Sequence, residues 1–150
     1  MAEFTGTFTE TFELPVDVAT AVAHFKNTET IARYYGILES AEPVGDDGLA
    51  IVLPEQNHGI ATFKGRYTGR WASPAENRVT WDTAPASGNM VSVGSATFTA
   101  RGEGCTMAWD SRITINLDVN RFVAKAVQPI VSTFVAREMK AYVLRMIGAL

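Results

Sequence analysis

Few residues of this chain have the type and the setting to do chemistry, and their pattern favours binding over bond-making. Glu10 lies on the strand face it shares with Phe8 and Phe12, so strict alternation carries a carboxylate toward an apolar interior. Two readings stand open there. Glu10 is a polar anchor, with Arg112, Arg121, Tyr67 or His58 as candidate partners, or a bulge near Gly6 or a rim position returns it to water. His58 lies in a turn between Gln56 and Gly59, where an imidazole can serve as a ligand contact or an acid–base group or simply be solvated. Tyr67 brings a hydroxyl to the inward side of a later strand. If a reaction occurs, Glu10, His58 and Tyr67 are the catalytic candidates; otherwise no catalytic residue is expected. Ser111 and Cys105 stand without a neighbouring His–Asp arrangement and no Gly-x-Ser-x-Gly turn is present, so nucleophilic catalysis has no support. Neither His24 nor His58 has further ligands at metal spacing, so no metal and no cofactor is expected. Cys105 is the only cysteine, which excludes an internal disulfide.

The elements that must position these groups are bounded by composition. A chain of 150 residues, 47% hydrophobic and 19% charged, suits one domain over residues 1–150 and excludes a disordered or highly charged arm. No apolar run approaches a bilayer span, and Met1-Ala2-Glu3-Phe4 lacks the basic and apolar parts of a signal peptide, so a cytoplasmic protein without stable membrane insertion is expected. Residues 1–59 hold ten acids and two bases, the remainder six acids and eleven bases. A folded domain interleaves such halves, and the net charge is −3, so no nucleic-acid partner is expected.

Phe4 to Leu14 alternates as a strand with one apolar face. Pro15 and Asp17 open a short helix carrying Val18, Ala21, Val22 and Phe25, and Asn27-Thr28 caps a second, Glu29 to Tyr35, which Gly36 stops. Turn signals at Gly45–Gly48, Asn57–Gly59, Ser73–Asn77, Ala84–Asn89 and Gly102–Gly104 then divide six strands with hairpin-length links. One of these runs unbroken from Ala61 to Trp71. After Asp118, a potential N-cap, an apolar stripe extends to Ile147 and predicts one long helix that Pro129 should kink or interrupt.

This order, with the helix pair between Phe12-Glu13-Leu14-Pro15-Val16-Asp17 and Ala32-Arg33-Tyr34-Tyr35, resembles the SRPBCC superfamily of START-like and birch-pollen-allergen-like proteins. Ala61-Thr62-Phe63-Lys64-Gly65-Arg66-Tyr67-Thr68-Gly69-Arg70-Trp71 is similar to the branch that contains the G subunit of carbon monoxide dehydrogenase. The resemblance implies an α+β helix-grip fold: a curved antiparallel β-sheet of seven strands, two short helices after strand one, and a long C-terminal helix packed over a cavity. Phe63, Tyr67, Trp71 and Trp81 would then face that cavity from the sheet, followed by Met90, Phe98, Met107 and Trp109. Phe122, Ile130 and Phe134 would close it from the helix. Aromatic and methionine residues in this pattern also make plain core, and the small residues Ser92, Gly94 and Ala96 tip the balance toward open space. The expected role is a carrier for a hydrophobic, lipid-like small molecule. A polyketide cyclase or aromatase acting in the same cavity is the alternative. A third reading is an assembly factor that uses Lys64, Arg66 and Arg70 as a partner surface; a homodimer or a protein partner stays open.

Overall fold

The computed structural model describes residues 2–150. Strand β1 (Ala2–Leu14) leads through Pro15 to helices α1 (Val18–Lys26) and α2 (Thr28–Tyr34). Asp17 accepts from the backbone N–H of Thr20 at 2.8 Å and starts α1, and Asn27 accepts from that of Thr30 at 3.0 Å and starts α2. These caps satisfy amides that a first helical turn leaves unpaired. Gly36, with φ of 125°, turns the chain out of α2 in a conformation that a side chain would strain.

Eight strands follow: β2 (Ser40–Val44), β3 (Gly48–Val52), β4 (Gln56–Asn57), β5 (Thr62–Phe63), β6 (Arg66–Ala75), β7 (Arg78–Thr83), β8 (Met90–Arg101) and β9 (Gly104–Leu117). Six of them join β1 in an antiparallel sheet of order β1-β9-β8-β7-β6-β3-β2, as the helix-grip architecture requires. The first strand thus closes against the last, in unbroken register from Ala2 opposite Leu117 to Leu14 opposite Cys105. No bulge occurs at Gly6.

Two expectations about the strands and the long helix need correction. The segment 61–71 is not one strand, because Thr62–Phe63 pairs with Gln56–Asn57 in a separate two-stranded ribbon. Gly65 makes the break: its carbonyl accepts from Leu53 at 2.8 Å, and a Cβ there would collide with Met90 and Phe63. The inward alternation of Tyr67, Gly69 and Trp71 survives beyond it.

Helix α3 (Arg121–Gly148) runs continuously through Pro129, so the proline does not end a first segment. Pro129 and Lys125, whose carbonyl loses its usual partner, both lie on the exposed side, where water can replace the missing bond. Asn120, rather than Asp118, caps the helix, accepting from Val123 at 2.9 Å. The buried face of α3 begins at Val127 and extends to Met146. It reaches β1 closely because Gly6 has no side chain: a Cβ at that position would lie 2.5 Å from Val135.

Candidate functional site

Between the inner face of the sheet and α3 lies a cavity of about 560 Å³. Strands supply its floor at every second residue, the spacing that sends side chains to one face. Tyr67 and Trp71 of β6, Trp81 of β7, Met90 and Ser92 of β8, and Trp109 of β9 all line it. The roof comes from α3, where Val127, Ile130, Phe134 and Tyr142 recur at helical spacing. The β4–β5 ribbon contributes His58, Ile60 and Phe63, and the chain leaving α2 contributes Tyr35 and Ile37. Ile37 is 83% exposed and Ile60 46%, so these two connections form the rim.

Eight of the eleven residues expected to contact a ligand therefore line this space: Phe63, Tyr67, Trp71 and Trp81, then Met90, Trp109, Ile130 and Phe134. Three do not. Phe98 and Met107 sit in solid core, where the Phe25 ring of α1 lies 5.9 Å from Phe98 and 6.1 Å from Trp109. Phe122 is 85% exposed, because it precedes the residue at which α3 turns its buried face to the sheet. The small residues also act differently from expectation. Ser92 lines the cavity, but a Cβ at Gly94 would strike the Trp81 indole, so that glycine makes room for tryptophan. Trp81 and Trp109, with ring centroids 4.5 Å apart, separate solid core from open space.

Of the catalytic candidates, Tyr67 and His58 line the cavity and Glu10 does not. Glu10 is half-exposed and accepts from Lys140 Nζ at 3.1 Å; none of its four anticipated partners holds it. It emerges at the flank of α3, one turn beyond the close approach of Val135 to Gly6. His58 packs edge-on against Phe134, with centroids 5.2 Å apart. His24 binds the carbonyl of Met146 at 2.7 Å. Ser111 accepts from the Trp109 indole at 3.0 Å and donates to the carbonyl of Phe8 at 3.2 Å, which makes it a core polar link. Cys105 is buried and unpaired, and burial pushes its thiol above the ordinary range. Among the described residues no group of three His, Cys, Asp or Glu could hold a metal, and no helix is long and apolar enough to cross a membrane.

The polar centre of the cavity is a tyrosine cluster that sequence spacing reveals only in part. Tyr35 Oη and Tyr67 Oη share a hydrogen bond of 2.6 Å, and the rings of Tyr35 and Tyr142 lie 5.8 Å apart. Burial pushes the Tyr35 phenol up to about 12, against the opposing pull of its bond to Tyr67. Burial also raises Tyr67, helped by the neighbouring Tyr35, while the nearby Ser92 side chain works the other way. Tyr142 is raised by burial first and by Tyr35 second, with Arg145 opposing. All three are therefore neutral at ordinary pH and offer hydrogen bonds rather than charge. Arg145 donates from Nε to the Tyr34 carbonyl at 2.8 Å and from Nη2 to the Tyr35 carbonyl at 2.7 Å. It thereby caps the end of α2 from α3 and fixes the Tyr35 backbone. The available signal is a tyrosine directly before a helix-stopping glycine, and another within an apolar helical stripe; their convergence on Tyr67 depends on tertiary contacts.

Comparison with known proteins agrees with this architecture. The model of a family described as polyketide cyclase/dehydrase and lipid transport matches residues 5–147. No protein with a curated description matches the chain. Among solved structures, a START superfamily protein from Mycobacterium smegmatis superposes with a TM-score of 0.67 at 13% identity, covering 95% of each chain. A protein from Thermus thermophilus gives 0.64 at 20% identity, over 95% of this chain and 98% of that one. Truncated norcoclaurine synthase from Thalictrum flavum gives 0.62 at 12% identity, over 98% of this chain and 94% of that one. At these identities the likeness is one of fold.

Proposed function

Because the chain belongs to the polyketide cyclase/dehydrase and lipid transport family, we propose that residues 1–150 form a single START-like domain that carries a hydrophobic, lipid-like small molecule in its cavity without a covalent step. The observation that carries this reading is the cavity of about 560 Å³, walled by aromatic and aliphatic side chains around a few convergent hydroxyls. That volume falls within the roughly 300 to 1,000 Å³ common to ligand sites. The charged side chains on its wall are few, Glu138 and Arg145, so the wall favours an apolar body. Native mass spectrometry of the purified protein, before and after organic extraction, tests the reading. A noncovalent adduct that extraction removes and that proves apolar is the expected result. No adduct, together with no uptake of an added neutral naphthalene probe, would sink it.

The cyclase reading retains His58 and Tyr67 as candidate proton-transfer groups on the cavity wall. It loses Glu10, whose carboxylate pairs with Lys140 outside. The assembly-factor reading loses support at its basic surface, since Lys64 pairs with Glu39 at 2.8 Å and Arg70 with Asp82 at 3.1 Å.

A further inference from the structure

The hydroxyls of Tyr35 and Tyr67 form a hydrogen-bonded pair 2.6 Å apart. The pair contains two hydroxyl protons for one hydrogen bond, so one proton is left over whichever hydroxyl donates. Both residues line the cavity, where a ligand can meet the leftover donor. The bond within the pair polarises the remaining hydroxyl proton and strengthens what it donates. Arg145 holds Tyr35 in place through the carbonyls of Tyr34 and Tyr35, so the donor is fixed before a ligand arrives.

The charge around the pair argues for what it binds. The formally charged side chains lining the cavity are Glu138 and Arg145, which cancel, and Arg145 already points Nε and Nη2 at backbone carbonyls. A carboxylate or phosphate group brought beside the tyrosines would lose its hydration without a dedicated counter-charge. A neutral oxygen acceptor would lose little and gain a pre-set donor.

We infer that the Tyr35–Tyr67 pair is the polar subsite of the cavity and selects neutral ligands that carry a carbonyl or similar uncharged oxygen acceptor on an apolar body, against the corresponding anions. This inference rests on the carrier reading and narrows its ligand class.

Isothermal titration with three matched probes tests it: 2-ethylnaphthalene, 2-acetylnaphthalene and 2-naphthoate. The ketone should bind the wild-type protein roughly two- to tenfold more tightly than the hydrocarbon, the worth of one net hydrogen bond. Naphthoate should bind no better than the hydrocarbon. In Tyr35→Phe and Tyr67→Phe the ketone advantage over the hydrocarbon should shrink, and in the double variant it should vanish, while continued binding of 2-ethylnaphthalene reports an intact cavity. If Tyr67→Phe fails to fold, Tyr35→Phe at the end of α2 decides the matter by the same ratio. A ketone advantage that persists in the double variant, or naphthoate binding more tightly than the ketone, overturns the inference and leaves the carrier reading standing. Binding of none of the three probes overturns both.

Discussion

One face of one sheet carries two interiors. Under α1, Phe25, Phe98 and Met107 fill the space beside β6, β7 and β8 completely; under α3, Tyr67, Met90 and Phe134 border an opening of about 560 Å³. The floor residues are of the same kind in both halves, and the roofs differ. Helix α1 lies directly over the middle strands, whereas α3 packs most closely on β1, at Gly6, and spans the rest. Whether an aromatic side chain becomes core or wall is thus decided by where the covering helix touches down. The sequence pattern of the strand itself is the same in either case.

Truncation separates the halves most strongly. Phe98→Ala should cost about 3 to 5 kcal/mol of stability, the price of a cavity in close-packed core, and leave the affinity of a neutral apolar probe nearly unchanged. Urea unfolding combined with probe titration checks both parts. A small loss of stability would mean that the half under α1 is also loosely filled.

Alkaline titration acts on the open half, which holds the buried phenols of Tyr67 and Tyr142 and the partly buried one of Tyr35. The folded chain keeps these protons more tightly than the unfolded chain, since each phenol lies above its ordinary value of 10.0 and Tyr35 reaches about 12. Their contribution is therefore complete below pH 10 and is lost as pH rises through the folded values. For Tyr35 alone the loss between pH 10 and 12 should be on the order of 2 kcal/mol. Urea midpoints across that range should fall less steeply in Tyr35→Phe than in the wild type, and parallel curves would count against the burial of this phenol.

Phe134→Ala should cost only about 1 kcal/mol, because a half-buried ring at a wall loses contact on one side alone. It should change probe affinity instead, the reverse of Phe98→Ala. A loss equal to that at Phe98 would make Phe134 ordinary core. Glu10→Gln should have the smallest effect, within about 0.5 kcal/mol and with no change in probe binding, as expected for a half-exposed pair with Lys140. Reduced binding in this variant would bring Glu10 back to the site.

These contrasts also mark how far the sequence is legible. Alternation identifies Tyr67, Trp71, Trp81 and Trp109 as inward, and helical spacing places Ile130 and Phe134 opposite them, because both signals are local. The sorting of Phe98 and Met107 into solid core is not legible, since it depends on Phe25 arriving from another element. Gly94 misleads for the same reason: absence of a side chain marks room, and Trp81 takes that room. Glu10 finds its partner 130 residues away at Lys140, beyond any local pattern. Tyr35 reads only as the end of a helix, because nothing at that position foretells a hydroxyl 2.6 Å away on β6.

The opening under α3 has a volumetric consequence. Were it a vacuum, about 560 Å³ per molecule would amount to about 340 mL/mol, several times the roughly 20 to 100 mL/mol by which proteins usually contract on unfolding. A sealed void of that size would make the fold acutely sensitive to hydrostatic pressure, but the exposed rim at Ile37 and Ile60 leaves the space open to solvent. Entry of a ligand is then an exchange. Part of its driving force would be the release of water from aromatic walls that offer it few hydrogen bonds, with the Tyr35–Tyr67 pair the place where a ligand oxygen would replace it.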